Sequence, residues 1–136
     1  MLHDQQLDEA NAIQRKMYTS LAEVAELTSE LSEAVNRQDQ VSVRMFLSMR
    51  QEEIGRLNDY QAMLNRQCKQ LPAEDGALLS QYISGRFSGK LPTASGEALL
   101  RQVEKNYALL ERVRQADRAV SSRLGGANSF YMKQGK

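Results

Sequence analysis

The sequence predicts an all-α protein: a long antiparallel helical hairpin followed by a C-terminal helix, packed as a three- to four-helix, coiled-coil-like bundle. Three observations carry that reading. Apolar residues recur at three- and four-residue steps over three long stretches, the spacing that lines one face of a helix. The composition is rich in Ala, Leu, Glu, Gln and Arg, whose side chains lose little freedom on a helix. Aromatic residues make up only 6%, with no Trp, which is poor in the side chains that sheets favour. At 136 residues the chain fits a single domain, residues 1–136, large enough to bury a core without disulfides or metals.

The first helix is expected over residues 7–36. Ala10, Ile13, Met17, Ser20, Val24, Leu27, Leu31 and Ala34 form its seam, and Leu21 and Val35 widen it. The opposite face carries Glu23, Glu26, Glu30 and Glu33. Asn36-Arg37-Gln38-Asp39 reads as a turn, since Asn and Asp compete for backbone hydrogen bonds and Asp39 can cap the next helix. No Gly or Pro forces a stop there, so one continuous helix is the alternative. The second helix is expected over 40–70, with Val43, Leu47, Ile54, Leu57, Leu64, Cys68 and Leu71 on its seam and Arg50 and Gln61 as the polar members. A short link makes two such helices antiparallel neighbours.

Pro72 and Pro92 bracket a stretch punctuated by Gly76, Gly85, Gly89 and Gly96. A short helix is expected at 77–84, closed by Gly85, then an exposed loop from Arg86 to Ser95. The last helix is expected over 96–124, on a seam of Leu99, Val103, Asn106, Leu110, Val113, Asp117, Val120 and Leu124, and stopped by Gly125-Gly126. Residues 125–136 are too short and polar to hold a core and are expected to form a flexible tail. Asn106 and Asp117 interrupt an apolar seam. They either sit at its edge or fix helix register through hydrogen bonds. Met45, Met49 and Met63 either fill gaps in the core or form an adaptable contact surface.

Formal net charge is +1, too balanced for attraction to phosphate backbones, so nucleic acid is not an expected partner. The charge is unevenly placed. Eight acids and three bases fall in Met1–Asp39, and eight bases and three acids in Arg101–Lys136. This places an acidic first helix beside a basic last helix, or offers a basic surface to an acidic partner. No stretch approaches the ~20 apolar residues that cross a bilayer, and no basic-then-apolar leader is visible. The single Cys68 builds no disulfide framework. A reducing, cytoplasmic setting is the expectation.

No constellation for catalysis emerges, and none for a metal or cofactor. The one histidine is His3, so neither a phosphorelay bundle nor paired Glu-x-x-His di-metal motifs can be built. Cys68 lacks a histidine base and reads as a small buried residue. The stretch Ser84-Gly-Arg-Phe-Ser-Gly-Lys90 lacks phosphate-loop spacing and follows no strand. A non-enzymatic, protein-binding role is expected.

Particular residues carry a family resemblance. Ala34-Val35-Asn-Arg-Gln-Asp39 is a small apolar pair followed by an Asp-containing turn. Phe46-Leu-Ser-Met-Arg-Gln-Glu-Glu-Ile54 sets a basic residue before an apolar stretch, with Leu57 and Arg66 beyond. Asn106-Tyr-Ala-Leu-Leu110 joins Asn to a Leu pair, and Gly125-Gly-Ala-Asn-Ser-Phe-Tyr131 is a Gly-containing tail with Tyr. Over roughly residues 21–131 the chain resembles the FlgN family of flagellar export chaperones of type III secretion. Arg50 stands where that family commonly has Lys, and the 72–96 connector has no counterpart. The resemblance implies a cytoplasmic chaperone. Such a protein holds the helical C-terminal segments of hook-associated (hook–filament junction) proteins, prevents their premature assembly and delivers them to the export apparatus. The physics would be helix-in-groove binding.

The partner surface is expected on the last helix and tail: Leu100, Tyr107, Leu109 and Arg114, with Phe130 and Tyr131. Leu100, Tyr107 and Arg114 recur every seven residues beside the seam, and Leu109 is read as lying away from it. Phe130 and Tyr131 follow the Gly-Gly break. The competing reading is a structural coiled-coil adaptor or homodimerising bundle without a secretion role. An adaptor would be a stable dimer with satisfied seams, and a chaperone a monomer or weak homodimer with an open groove.

Overall fold

The computed structural model describes residues 2–85, 87, 89 and 91–124. Four helices account for most of them: α1, Asp4–Asn36; α2, Gln40–Gln70; α3, Ala73–Ile83; and α4, Ala94–Leu124. No strand occurs among the described residues. The predicted tail, with Phe130 and Tyr131, lies outside them.

The turn between α1 and α2 forms where expected. Asp39 Oδ1 accepts from the Ser42 backbone N–H at 3.1 Å and Oδ2 from the Ser42 hydroxyl at 2.7 Å, satisfying a donor that the first helical turn leaves free. The chain reverses through Gln38, whose φ of 60° is a left-handed conformation unusual for a residue with a Cβ.

Three helix starts differ from the sequence reading. α1 begins at Asp4 rather than Leu7, because His3 O accepts from the N–H groups of Gln6 and Leu7 and the Gln6 side chain accepts from the His3 N–H. α3 begins at Ala73 rather than Ala77. Pro72, already unable to donate, precedes the first turn, and Glu74 and Asp75 suit its positive end. α4 begins at Ala94 rather than Gly96, so Ala94 and Ser95 belong to a helix and not to the expected loop. Thr93 Oγ1 accepts from the Gly96 N–H at 3.1 Å, and Glu97 Oε2 accepts from the Leu91 N–H at 3.1 Å. α3 ends at Ile83 with Ser84 as its cap residue, and Gly85 follows at φ 76°, the left-handed close the sequence assigned to it.

α1 is the central helix and packs along both α2 and α4, while α2 and α4 scarcely approach each other. This explains why its buried residues spread well beyond one seam, to Leu7, Asn11, Gln14, Leu21 and Thr28. Two core clusters set the directions. The lower joins Leu7 and Ala10 of α1, Leu64 of α2, Leu79, Tyr82 and Ile83 of α3, and Leu99 and Val103 of α4. The upper joins Leu21 and Val24 to Leu109 and Val113, with Ile54 and Leu57 packed against it. α4 therefore runs parallel to α1, and α2 antiparallel to both. Leu31, Leu64, Leu79 and Leu99 are sealed from solvent, and each such burial stabilises the fold by about 1.5–3 kcal/mol before entropy is counted.

α3 wedges between the lower halves of α2 and α4. At Gly76 an added Cβ would run into the Cys68 carbonyl oxygen of α2, so the two backbones meet where only glycine fits. No helix is long and apolar enough to cross a membrane among the described residues.

Candidate helix-binding groove

α3 covers only part of the cleft between α2 and α4. Its upper end is marked by Tyr107 of α4, whose hydroxyl donates to the Ile83 carbonyl at 3.4 Å and whose ring lies against Gly85. The chain then turns back. Phe87 meets Tyr82 edge-to-face at 4.8 Å, and Phe87 and Leu91 pack on the lower core. Above Tyr107, among the described residues, no helix takes over the position that α3 holds below. There Leu47, Ile54 and Leu110 are half-buried, Ile54 and Leu110 against the upper core. The cleft ends in a groove of about 540 Å³ lined by Val35, Gln38, Gln40, Val43, Arg44 and Leu124, within the range of clefts that take ligands.

The sequence-predicted partner residues divide between these surroundings. Leu100, Tyr107 and Arg114 share one side of α4, as residues seven apart on a helix must. Leu100 is half-buried against the lower core that includes α3, so it does widen the core stripe. Tyr107 is 47% exposed at the top of α3. Arg114 is exposed, two turns higher, beside the part of the cleft that α3 does not fill. Leu109 requires a correction. It is 5% exposed and packs with Leu21, Val24 and Val113, so it is core rather than a surface anchor. The buried arc of α4 faces mainly α1, and Leu110, given to the seam by strict four-three stepping, is the half-buried one. Residues 109 and 110 are 100° apart, and stepping cannot choose between them when the arc spans both. Phe130 and Tyr131 fall outside the described residues.

Two polar contacts hold the cleft's walls in place. Asn106 Nδ2 donates to the Gln14 carbonyl at 2.8 Å and to Gln14 Oε1 at 2.6 Å, while its Oδ1 accepts from Gln102 Nε2 at 3.0 Å. This fixes α4 in register on α1. Arg50 of α2 donates to Asp117 of α4 at 2.7 Å, both side chains almost wholly buried, and Ser121 Oγ donates to Asp117 Oδ2 at 3.4 Å. Asn106 and Asp117 therefore lie inside the bundle, not at its edge. The ion pair was foreshadowed by one signal in the sequence: a cation on the α2 seam and an anion on the α4 seam.

Acidic α1 and basic α4 do lie side by side. Among the described residues they are joined by Lys105 over the Tyr18 ring at 5.2 Å and by an Arg123–Ser32 hydrogen bond, with no direct ion pair between them.

Burial pushes the Cys68 thiol above its ordinary value, away from a reactive thiolate. No three His, Cys, Asp or Glu side chains gather as metal ligands would among the described residues. The chain matches no family model, no curated protein and no solved structure.

Proposed function

We propose that this protein is a helix-binding chaperone. It takes an amphipathic helix of its client into the upper cleft between α2 and α4, in line with α3. The observation that carries this reading is the half-filled cleft. One helix of this chain already lies between the lower halves of α2 and α4, so the chain itself supplies the template for what fits above. Apolar Leu47, Ile54 and Leu110 at half burial, and Val35, Val43 and Leu124 at the open end, supply the contact surface for a partner's apolar stripe. Tyr107 and Arg114 flank it, an aromatic and a guanidinium of the kinds that anchor interfaces.

The resemblance to FlgN-type chaperones names the client: the helical C-terminal segment of a hook-associated protein, held in the cytoplasm until it reaches the export apparatus. A segment of that kind exposes an apolar stripe that self-associates when left uncovered. Burying it in an unfinished bundle prevents premature assembly.

Calorimetric titration of the full chain with a synthetic C-terminal helix of a hook-associated protein tests the reading. Tyr107→Ser and Arg114→Glu should each weaken binding, Tyr107→Ser by ~1–3 kcal/mol, the scale of a lost aromatic anchor. Circular dichroism should be unchanged. Full affinity in both variants, or no binding by the native chain, would reject the site.

A further inference from the structure

The first half of α2 turns an apolar stripe outward. Val41 is 71% exposed, Met45 50% and Met49 40%, each one turn beyond the last, on the side of the helix opposite buried Arg50. These residues belong to neither the core nor the cleft above. A row of three large apolar groups on a solvent face is costly, and the charges around it indicate what covers it. Along the same stretch Arg44 precedes the middle of the stripe and Glu52 follows it, both exposed. Neither belongs to an ion pair among the described residues.

We propose that this face pairs antiparallel with the same face of a second copy of the chain, about a two-fold axis at Ser48. In a two-fold interface every contact occurs twice with the partners exchanged. Arg44 and Glu52 stand four residues either side of Ser48, so each Arg44 meets Glu52 of the other copy. Val41 and Gly55 stand seven residues either side. Gly55 has nothing within 4 Å of where a Cβ would be, leaving a hollow for Val41. Met45 and Met49 of the two copies interleave across the axis, where flexible thioethers adapt to each other. A parallel pair would instead set Arg44 beside Arg44 and Glu52 beside Glu52. The order of charge along the face thus selects the antiparallel copy. Arg44 also lines the groove at the open end of the cleft, so this face borders the client site, and Glu52, which lies away from that groove, tests the association independently of client binding.

Sedimentation equilibrium of the full chain over a range of concentrations reads the association. We expect a reversible dimer, weakened by salt as its charge pairs are screened. Arg44→Glu and Glu52→Arg should each weaken it roughly tenfold or more by placing like charges together, and the doubly swapped chain should regain it. In a Cys68→Ala background, Ser48→Cys should give a disulfide-linked dimer on oxidation and Ala62→Cys should not. Circular dichroism confirms that each variant is folded. A monomer at every concentration, a dimer insensitive to both single charge changes, or a dimer lost only on removing residues 125–136 would overturn the proposal.

Discussion

Arg50 of α2 and Asp117 of α4 meet at 2.7 Å with side chains 3% and 2% exposed, and they do so between two helices that otherwise scarcely touch. A buried pair of this kind adds little net stability, because desolvation offsets the attraction, but losing one partner strands a charge. Its structural effect is to set how far apart α2 and α4 stand, and so the width of the cleft.

Breaking this pair should be costly, and replacing it should not. Asp117→Leu and Arg50→Met should each destabilise the fold by ~3–5 kcal/mol. The double replacement Arg50→Met/Asp117→Leu should recover most of that loss. Urea denaturation of the four chains forms a double-mutant cycle, and additive losses would show that the two residues are not coupled.

Leu109 and Arg114 should separate folding from binding. Leu109→Ala removes a buried side chain and should cost ~2–5 kcal/mol. Arg114→Glu, at an exposed position, should change stability by no more than ~0.5 kcal/mol while weakening the client helix. The reverse pattern in denaturation and titration would place Leu109 on the surface.

Gly76→Ala should loosen α3 from α2. The added methyl meets the Cys68 carbonyl, a backbone atom that cannot swing aside, and overpacking of this kind costs ~1–3 kcal/mol. Hydrogen exchange should show faster opening of 73–83 before the rest of the bundle. Uniform protection across the four helices would argue that the close approach is relieved without cost.

Asp39 makes the start of α2 pH-sensitive. Hydrogen bonds from the Ser42 side chain and then its backbone N–H, with Arg37 nearby, hold its carboxyl below the ordinary 3.8. A lowered folded-state value means that its stabilising effect is present above the unfolded value and lost as pH falls through the folded one. Asn also caps helices but does not titrate. Asp39→Asn should therefore flatten the acid limb of a stability-versus-pH curve below about pH 4, and an identical limb would assign the acid sensitivity to other carboxylates.

The sequence by itself determined the helices and the breaks between them, with three starts displaced by two to four residues. Three-four spacing marks an inward face, Asp39 and Gly85 mark a start and a stop, and these local signals need no partner to be read. The α4 start was also legible in Thr93, whose hydroxyl caps Gly96, although Gly96 drew attention as the boundary. Tertiary structure alone decided which inward faces meet. Periodicity places Arg50, Asn106 and Asp117 in or at the edge of the apolar seams without choosing between the two, because their hydrogen-bond partners lie 67 to 92 residues away. It is likewise silent on α1 lying between two helices, which enlarged the buried arc of α1 and left Val41, Met45 and Met49 of α2 outside. A helix encodes its own apolar stripe, whereas the number of neighbours that cover it depends on where the rest of the chain packs.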